Sequence, residues 1–239
     1  TKKSIGTPTR SKKLKNTTKK SIGTPTRPSN LNGLSKTHEK VICTLNNRIQ
    51  TIHLFKTIWL RGNREQAFLQ VLIEPNLVQY DPICVVHILQ LLGLSADRAS
   101  GTIKNADQSP SNWLAVQDCV YLLRLLKSLL ISQLSLLCSG QTPNASTSAW
   151  IALCAFQAAQ RLVSAFGPEA SRTKHTKRTT NNEPHSSIQL NVYAEMVMIK
   201  KKICAERSYF EHRSFNQQLQ QARRDLVKAF KNASHAQQQ

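Results

Sequence analysis

Cys84-Val85-Val86-His87 sets a thiol and an imidazole three residues apart. On a helix that spacing puts both on one face, which is half of a metal site. The other half is missing. The six cysteines, Cys43, Cys84, Cys119, Cys138, Cys154 and Cys204, stand singly in apolar stretches, with no CxxC pair. A buried thiol on an apolar helix is the ordinary case, so neither zinc nor a disulfide framework is expected. Unpaired core thiols fit a reducing compartment. No GxxxxGK[ST] phosphate loop, GxGxxG, HExxH or GxSxG run occurs, and no pair of carboxylates stands out. The expectation is a protein without catalytic activity, cofactor or metal.

The remaining chemistry is positive charge. The 239 residues hold 33 Lys+Arg against 13 Asp+Glu, a net charge of +20. Residues 1–40 carry 11 cations and one acid, residues 41–170 carry nine and seven, and residues 171–239 carry 13 and five. A nearly neutral block therefore lies between two basic flanks. Such a field points to a polyanionic partner met by the flanks.

The first flank is a repeat. Thr1–Arg10 reads TKKSIGTPTR and recurs letter for letter at Thr18–Arg27. Each copy has one apolar side chain, Ile5 or Ile22, which is too little burial to offset the entropy of ordering. Residues 1–36 are expected to be a disordered arm, and no apolar h-region marks a secretory signal. Lys2, Lys3, Arg10, Lys12, Lys13, Lys15, Lys19, Lys20 and Arg27 could bind a polyanion, form a nuclear-import signal, or simply solvate a linker. Thr7-Pro-Thr-Arg10 and Thr24-Pro-Thr-Arg27 match the Thr-Pro-x-Arg pattern of proline-directed kinases. Phosphates on Thr7 and Thr24 would add roughly −1.5 to −2 each and loosen the arm.

The middle reads as helices. Val41, Ile42, Leu45, Ile49, Ile52, Phe55, Ile58 and Trp59 recur at spacings of three and four, so His38–Leu60 is expected to bury one face. Arg61-Gly62-Asn63 supplies a stop. Arg64–Ile73 is a short second helix, and Pro82 opens a third, to about Leu92. Residues 93–111 form an exposed loop, after which Ser111 or Asn112 can cap a helix from Trp113 to about Leu137. That helix is nearly all apolar, but Arg124 and Lys127 sit in its centre. Its polar residues Gln117, Tyr121, Arg124, Ser128, Ser132 and Ser135 form one stripe. A central core helix is favoured over a transmembrane one. A fifth helix, capped by Ser146 or Ser148, ends at Gly167-Pro168. A basic linker follows, then a helical region over about Ile188–Phe230, with a break near Ser214. Lys200, Lys201, Lys202, Arg223 and Arg224 make this region basic. The fold class is all-α, a multi-helix bundle or helical-hairpin array. Residues 1–36 are the arm, 37–170 the core domain, 171–187 the linker, and 188–239 a C-terminal region packed on the core.

One residue breaks the pattern. At about 100° per residue, Arg48 falls about 20° from Val41 on the apolar face of the first helix. A charge there needs a counterion. It is either an internal carboxylate, Asp81 or Asp118, or one from a partner protein.

The run Leu45-Asn-Asn-Arg48-Ile-Gln-Thr-Ile-His-Leu-Phe-Lys-Thr-Ile-Trp59-Leu-Arg-Gly62-Asn63, with Ala67 beyond, resembles the C-terminal helical domain of the katanin regulatory subunit. It also resembles the related regulatory-subunit-like proteins that lack a WD-repeat propeller. The shared pattern is an Arg, a Trp eleven residues on, a helix stop, and an Ala in the next helix. Val85-Val86-His87-Ile88-Leu89 stands where the family has a VVDIL-type segment, with His in place of Asp. Cys119-Val-Tyr-Leu-Leu-Arg-Leu-Leu-Lys-Ser-Leu-Leu130 is similar to the family's Leu-rich helix. The likeness covers about residues 38–166 and is weaker over 188–230. Residues 74–81 and 93–112 look like longer loops than the family's. Without WD repeats, the chain would be a fragment of a regulatory subunit or a short member with a basic arm.

What the resemblance implies is an all-α module that docks on the N-terminal helical domain of a catalytic AAA+ subunit. That subunit would supply ATP hydrolysis. The pair would bind microtubules and tune or target severing in the cytoplasm, at spindle poles and centrosomes. On this reading Arg48, Arg61 and Arg64 are the expected partner-binding cations, and the flanks meet acidic tubulin. No membrane is expected. The alternative is a basic helical nucleic-acid-binding or nuclear scaffold protein, against which stands the lack of any zinc-finger or RRM signature.

Overall fold

The periodicity of three and four carries through the chain, and every described element is helical. The computed structural model describes residues 31–73, 76–97, 100, 102–103, 107–139, 144–176, 184–205 and 217–235. The chain divides into two units, Thr1–Cys43 and Thr44–Gln239. Of the first, the described part is the start of helix α1, Leu31–Leu60. This helix begins inside the expected arm, seven residues before His38. Leu31, Leu34 and Lys36 favour a helix, and the single Gly33 costs only about 1 kcal/mol.

In the second unit α1 stops as expected. Gly62 takes φ +83° and its N–H donates to the Trp59 carbonyl at 3.0 Å, a left-handed turn that suits glycine. Helix α2 (Arg64–Ala67) follows and widens into a π-helical stretch, Phe68–Ile73, which buries Phe68, Val71 and Leu72. Helix α3 (Leu77–Tyr80) is one turn, and α4 (Pro82–Leu91) starts on its proline with Asp81 as cap. Pro110–Asn112 forms a 3₁₀ turn, so α5 (Val116–Ser139) starts three residues later than expected. Its cap is not Ser111 or Asn112. Asp118 instead reaches back to accept from the Ala115 N–H at 3.1 Å, the reciprocal half of a capping box.

Helix α5 is the centre. Leu122, Leu123, Leu126 and Leu129 are fully buried, while Gln117, Arg124, Ser128 and Ser135 of the foreseen polar stripe lie on its exposed side. Helices α5 and α6 are each long and apolar enough to cross a membrane, and 56% of each apolar window is buried within the fold.

Helix α6 (Ala145–Thr176) does not end at Gly167-Pro168. It runs on for two further turns, so the first residues of the expected 171–187 linker are helical. Helix α7 (Pro184–Ala205) takes its last ones. Packing explains the continuation. Gly167 lies against helix α8 (Gln217–His235), where an added Cβ would sit 2.8 Å from Ala233 Cβ and 3.0 Å from Met196 Cε. The close approach of α6, α7 and α8 outweighs the backbone hydrogen bond that Pro168 cannot donate. Gly167→Ala should therefore lower stability by about 1–2 kcal/mol through overpacking, although Ala favours a helix by about 1 kcal/mol. A raised melting temperature in this variant would contradict the packing account.

The C-terminal helices bury one side each. Helix α7 buries Val192, Met196, Ile199 and Ile203, and α8 buries Leu219, Ala222, Leu226, Ala229, Phe230 and Ala233. Across α5 and α7, Glu195 accepts from Arg124 Nε at 3.0 Å and Lys127 Nζ at 2.7 Å. The two cations that stood against a membrane span thus fasten α7 to α5.

Candidate functional site

Arg48 is satisfied within the chain. Its Nε donates to Asp81 Oδ2 and its Nη2 to Asp81 Oδ1, both at 2.9 Å. This bidentate geometry is the strong form of the pair. Asp81 Oδ1 also accepts from the Cys84 N–H at 3.1 Å, so one carboxylate caps α4 and ties it to α1. Asp118, the other candidate, is taken by Arg64 at 3.4 Å. The Arg64 guanidinium also donates to the Trp113 carbonyl at 2.8 Å and lies 5.1 Å from the Trp59 ring centroid, a cation–π contact. Two of the three arginines expected to meet a partner are thus engaged internally, because each has a carboxylate in reach, Asp81 at the start of α4 and Asp118 in the first turn of α5. Arg61 is exposed.

The apolar face of α1 is the larger correction. Phe55 is fully buried, with Ile52, Ile58 and Trp59 partly so. Leu45 and Ile49, expected in the core, are 47% and 64% exposed. Val41 and Ile42, one turn earlier, are exposed as well. Periodicity reveals which side of a helix is apolar but not how far along it a neighbour extends. Tyr80, next to Asp81, is 79% exposed. Leu45, Ile49 and Tyr80 are thus exposed apolar side chains that neighbour in sequence the two members of an ion pair that needs no further counterion.

The thiols behind this face are held neutral. Burial, with Asp81 adding and Arg48 opposing, pushes Cys84 up to about 12. Burial and then Asp118 raise Cys119 further still. The thiolate is the reactive form, so iodoacetamide at pH 8 should alkylate exposed Cys43 at least tenfold faster than Cys84 or Cys119, as read by peptide mass spectrometry; equal rates would refute the burial. The same shifts make stability fall above pH 9, where an unfolded thiol ionises and the folded one holds its proton. Cys84 and His87 turn to different partners. The Cys84 Sγ lies 3.9 Å from the Arg48 carbonyl, while His87 Nδ1 lies 3.1 Å from Gln90 Oε1. Among the described residues no three His, Cys, Asp or Glu side chains group to hold a metal.

The basic residues divide. Lys2 through Arg27 of the arm, with Thr7 and Thr24, lie outside the described residues. Lys201 and Lys202 are exposed at the end of α7, with Lys200 half-buried, and on α8 Arg224 is exposed and Arg223 half-buried. Lys228 and Lys231, also exposed on α8, were not foreseen. Their spacing of four and seven from Arg224 is the signal, since it aligns the three cations along one side of a helix.

Compared with known proteins, the chain matches no family model, no curated protein and no solved structure.

Proposed function

We propose that this protein is a non-catalytic helical adaptor that docks on the N-terminal helical domain of a katanin-type AAA+ subunit. In this reading it tunes or targets microtubule severing at spindle poles and centrosomes. The observation that carries it is the exposed apolar surface of Leu45, Ile49 and Tyr80 beside the closed Arg48–Asp81 pair. Apolar area with its nearby charge already neutralised suits a protein interface core, where unpaired charge is disfavoured. The choice of partner rests on the sequence resemblance. Exposed Lys201, Lys202, Arg224, Lys228 and Lys231 suit the acidic surface of tubulin.

The double variant Leu45→Asp/Ile49→Asp should keep the parent melting temperature and bind the catalytic subunit's N-terminal domain about 100-fold more weakly, as two interface anchors are lost. Calorimetry with unchanged affinity would remove this face from the interface. Tighter binding to duplex DNA than to microtubules at equal salt would move the reading to a nucleic-acid-binding protein.

A further inference from the structure

The row Arg224, Lys228 and Lys231 on α8 has a chemistry of its own. All three are exposed, and at about 100° per residue they fall within about 60° of arc. Along the axis they span about 10.5 Å, at about 1.5 Å per residue. Among the described residues the ion pairs engage Arg48, Arg64, Arg124 and Lys127, and none of the row. The helix has one acid, Asp225, about a quarter turn from Arg224. Its Oδ1 accepts from Gln221 Nε2 at 2.8 Å. On the opposite side Leu219, Leu226 and Phe230 are buried, so the row stands on an anchored helix.

The sign of the row calls for a polyanion, and the composition of this side of α8 selects among them. Every other exposed residue of the helix is Gln, Asn, Ser or His, and none is apolar. A helix lying on a membrane needs an exposed apolar face to insert. A folded protein surface is held by aromatic and aliphatic anchors, and interface cores are poor in Lys. Single-stranded nucleic acid is held by aromatic rings on which its bases stack. An interface with duplex nucleic acid is polar and strongly positive, as this side of α8 is. Charge density favours the duplex again. It carries one charge per about 1.7 Å of axis, against at most one per about 3.4 Å in an extended acidic peptide. The span of the row therefore matches about six phosphates. A duplex is also stiff over that length, whereas a disordered acidic tail loses entropy when it is ordered. The helix, about 10–12 Å across, matches the major groove, about 12 Å wide.

We propose that this side of α8 binds the phosphate backbone of duplex nucleic acid without reading its sequence. Arg224, Lys228 and Lys231 each neutralise a phosphate, and the counterions released drive the association. The proposal goes beyond the adaptor reading and does not rest on it, since the α1 face takes no part.

The test is fluorescence polarisation of the full chain with a labelled DNA duplex of about 20 base pairs, at salt from about 0.05 to 0.3 M. The readout is the slope of log K against log salt, about −0.9 per phosphate contact. Differences between variants separate α8 from the basic arm, whose cations stay the same throughout. Arg224→Gln/Lys228→Gln/Lys231→Gln should make the slope shallower by about 2.7 and weaken binding roughly 100-fold at about 0.15 M salt. Lys228→Arg/Lys231→Arg should keep the parent slope. A duplex of shuffled sequence should bind within about threefold of the first. An RNA duplex run in parallel distinguishes the two sources of the backbone, and a loss of slope on either supports the proposal. Leu45→Asp/Ile49→Asp should change neither slope nor affinity. An unchanged slope in the triple variant on both duplexes would overturn the proposal. So would tighter binding of the parent to a poly-Glu chain, or to a single strand, than to the duplex at equal salt.

Discussion

Phe55→Ala should lower the unfolding free energy by about 4 kcal/mol, while Ile49→Ala, six residues earlier on the same helix, should change it by less than about 0.5 kcal/mol. Phe55 is fully buried. Its ring stacks on Trp59 at 5.7 Å and meets Phe68 edge-on at 6.0 Å. Trp59 in turn packs on Phe68 at 5.6 Å and Trp113 at 6.5 Å, and Phe68 on Tyr121 at 6.1 Å. Removing the first ring opens a cavity where α1, the π-helical stretch and the approach to α5 converge, and the other rings are too constrained to refill it. Urea denaturation of the two variants measures the contrast. A loss of similar size for Ile49→Ala would mean that the exposed part of α1 is covered after all.

Asp81→Ala should cost about 3 kcal/mol. The loss of the α4 cap accounts for about 1 kcal/mol. Leaving the largely buried Arg48 without its bidentate partner accounts for about 2 kcal/mol, below the full value for a wholly buried pair. Arg48→Met alone should cost less, since Asp81 still caps α4 and part of its charge faces solvent. The combination Arg48→Met/Asp81→Ser should return to within about 1 kcal/mol of the parent, because the hydroxyl keeps the cap and no charge is stranded. If the double variant instead lost the sum of its two single effects, the pair would not be the link between α1 and α4.

Much of the architecture was legible in the residues. Pro82 after a capping Asp marked α4, Gly62 marked the end of α1, and the polar stripe of α5 marked its exposed side. What failed was any inference that depended on a neighbour. Gly167-Pro168 reads as a stop because a proline breaks an isolated helix, but no local rule registers that Ala233 packs against the glycine. Leu45 and Ile49 have the right phase for a core, and phase says nothing about cover. Arg64 gave no sign that Asp118, Trp113 and Trp59 would surround it. Of the candidate sites, the ion pair was half visible, as a choice between two aspartates.

The apolar sides of α5 and α6 bear on how the chain emerges from the ribosome. Both helices are complete in sequence by Thr176, whereas the last part of their cover, α8, ends at His235. At roughly 5–20 residues per second this leaves an interval of about 3–12 s. Throughout it, two segments of membrane-spanning length have synthesised but incomplete partners. Arg124 and Lys127, which hold Glu195 in the completed fold, are the charges that interrupt the apolar run of α5 during that interval.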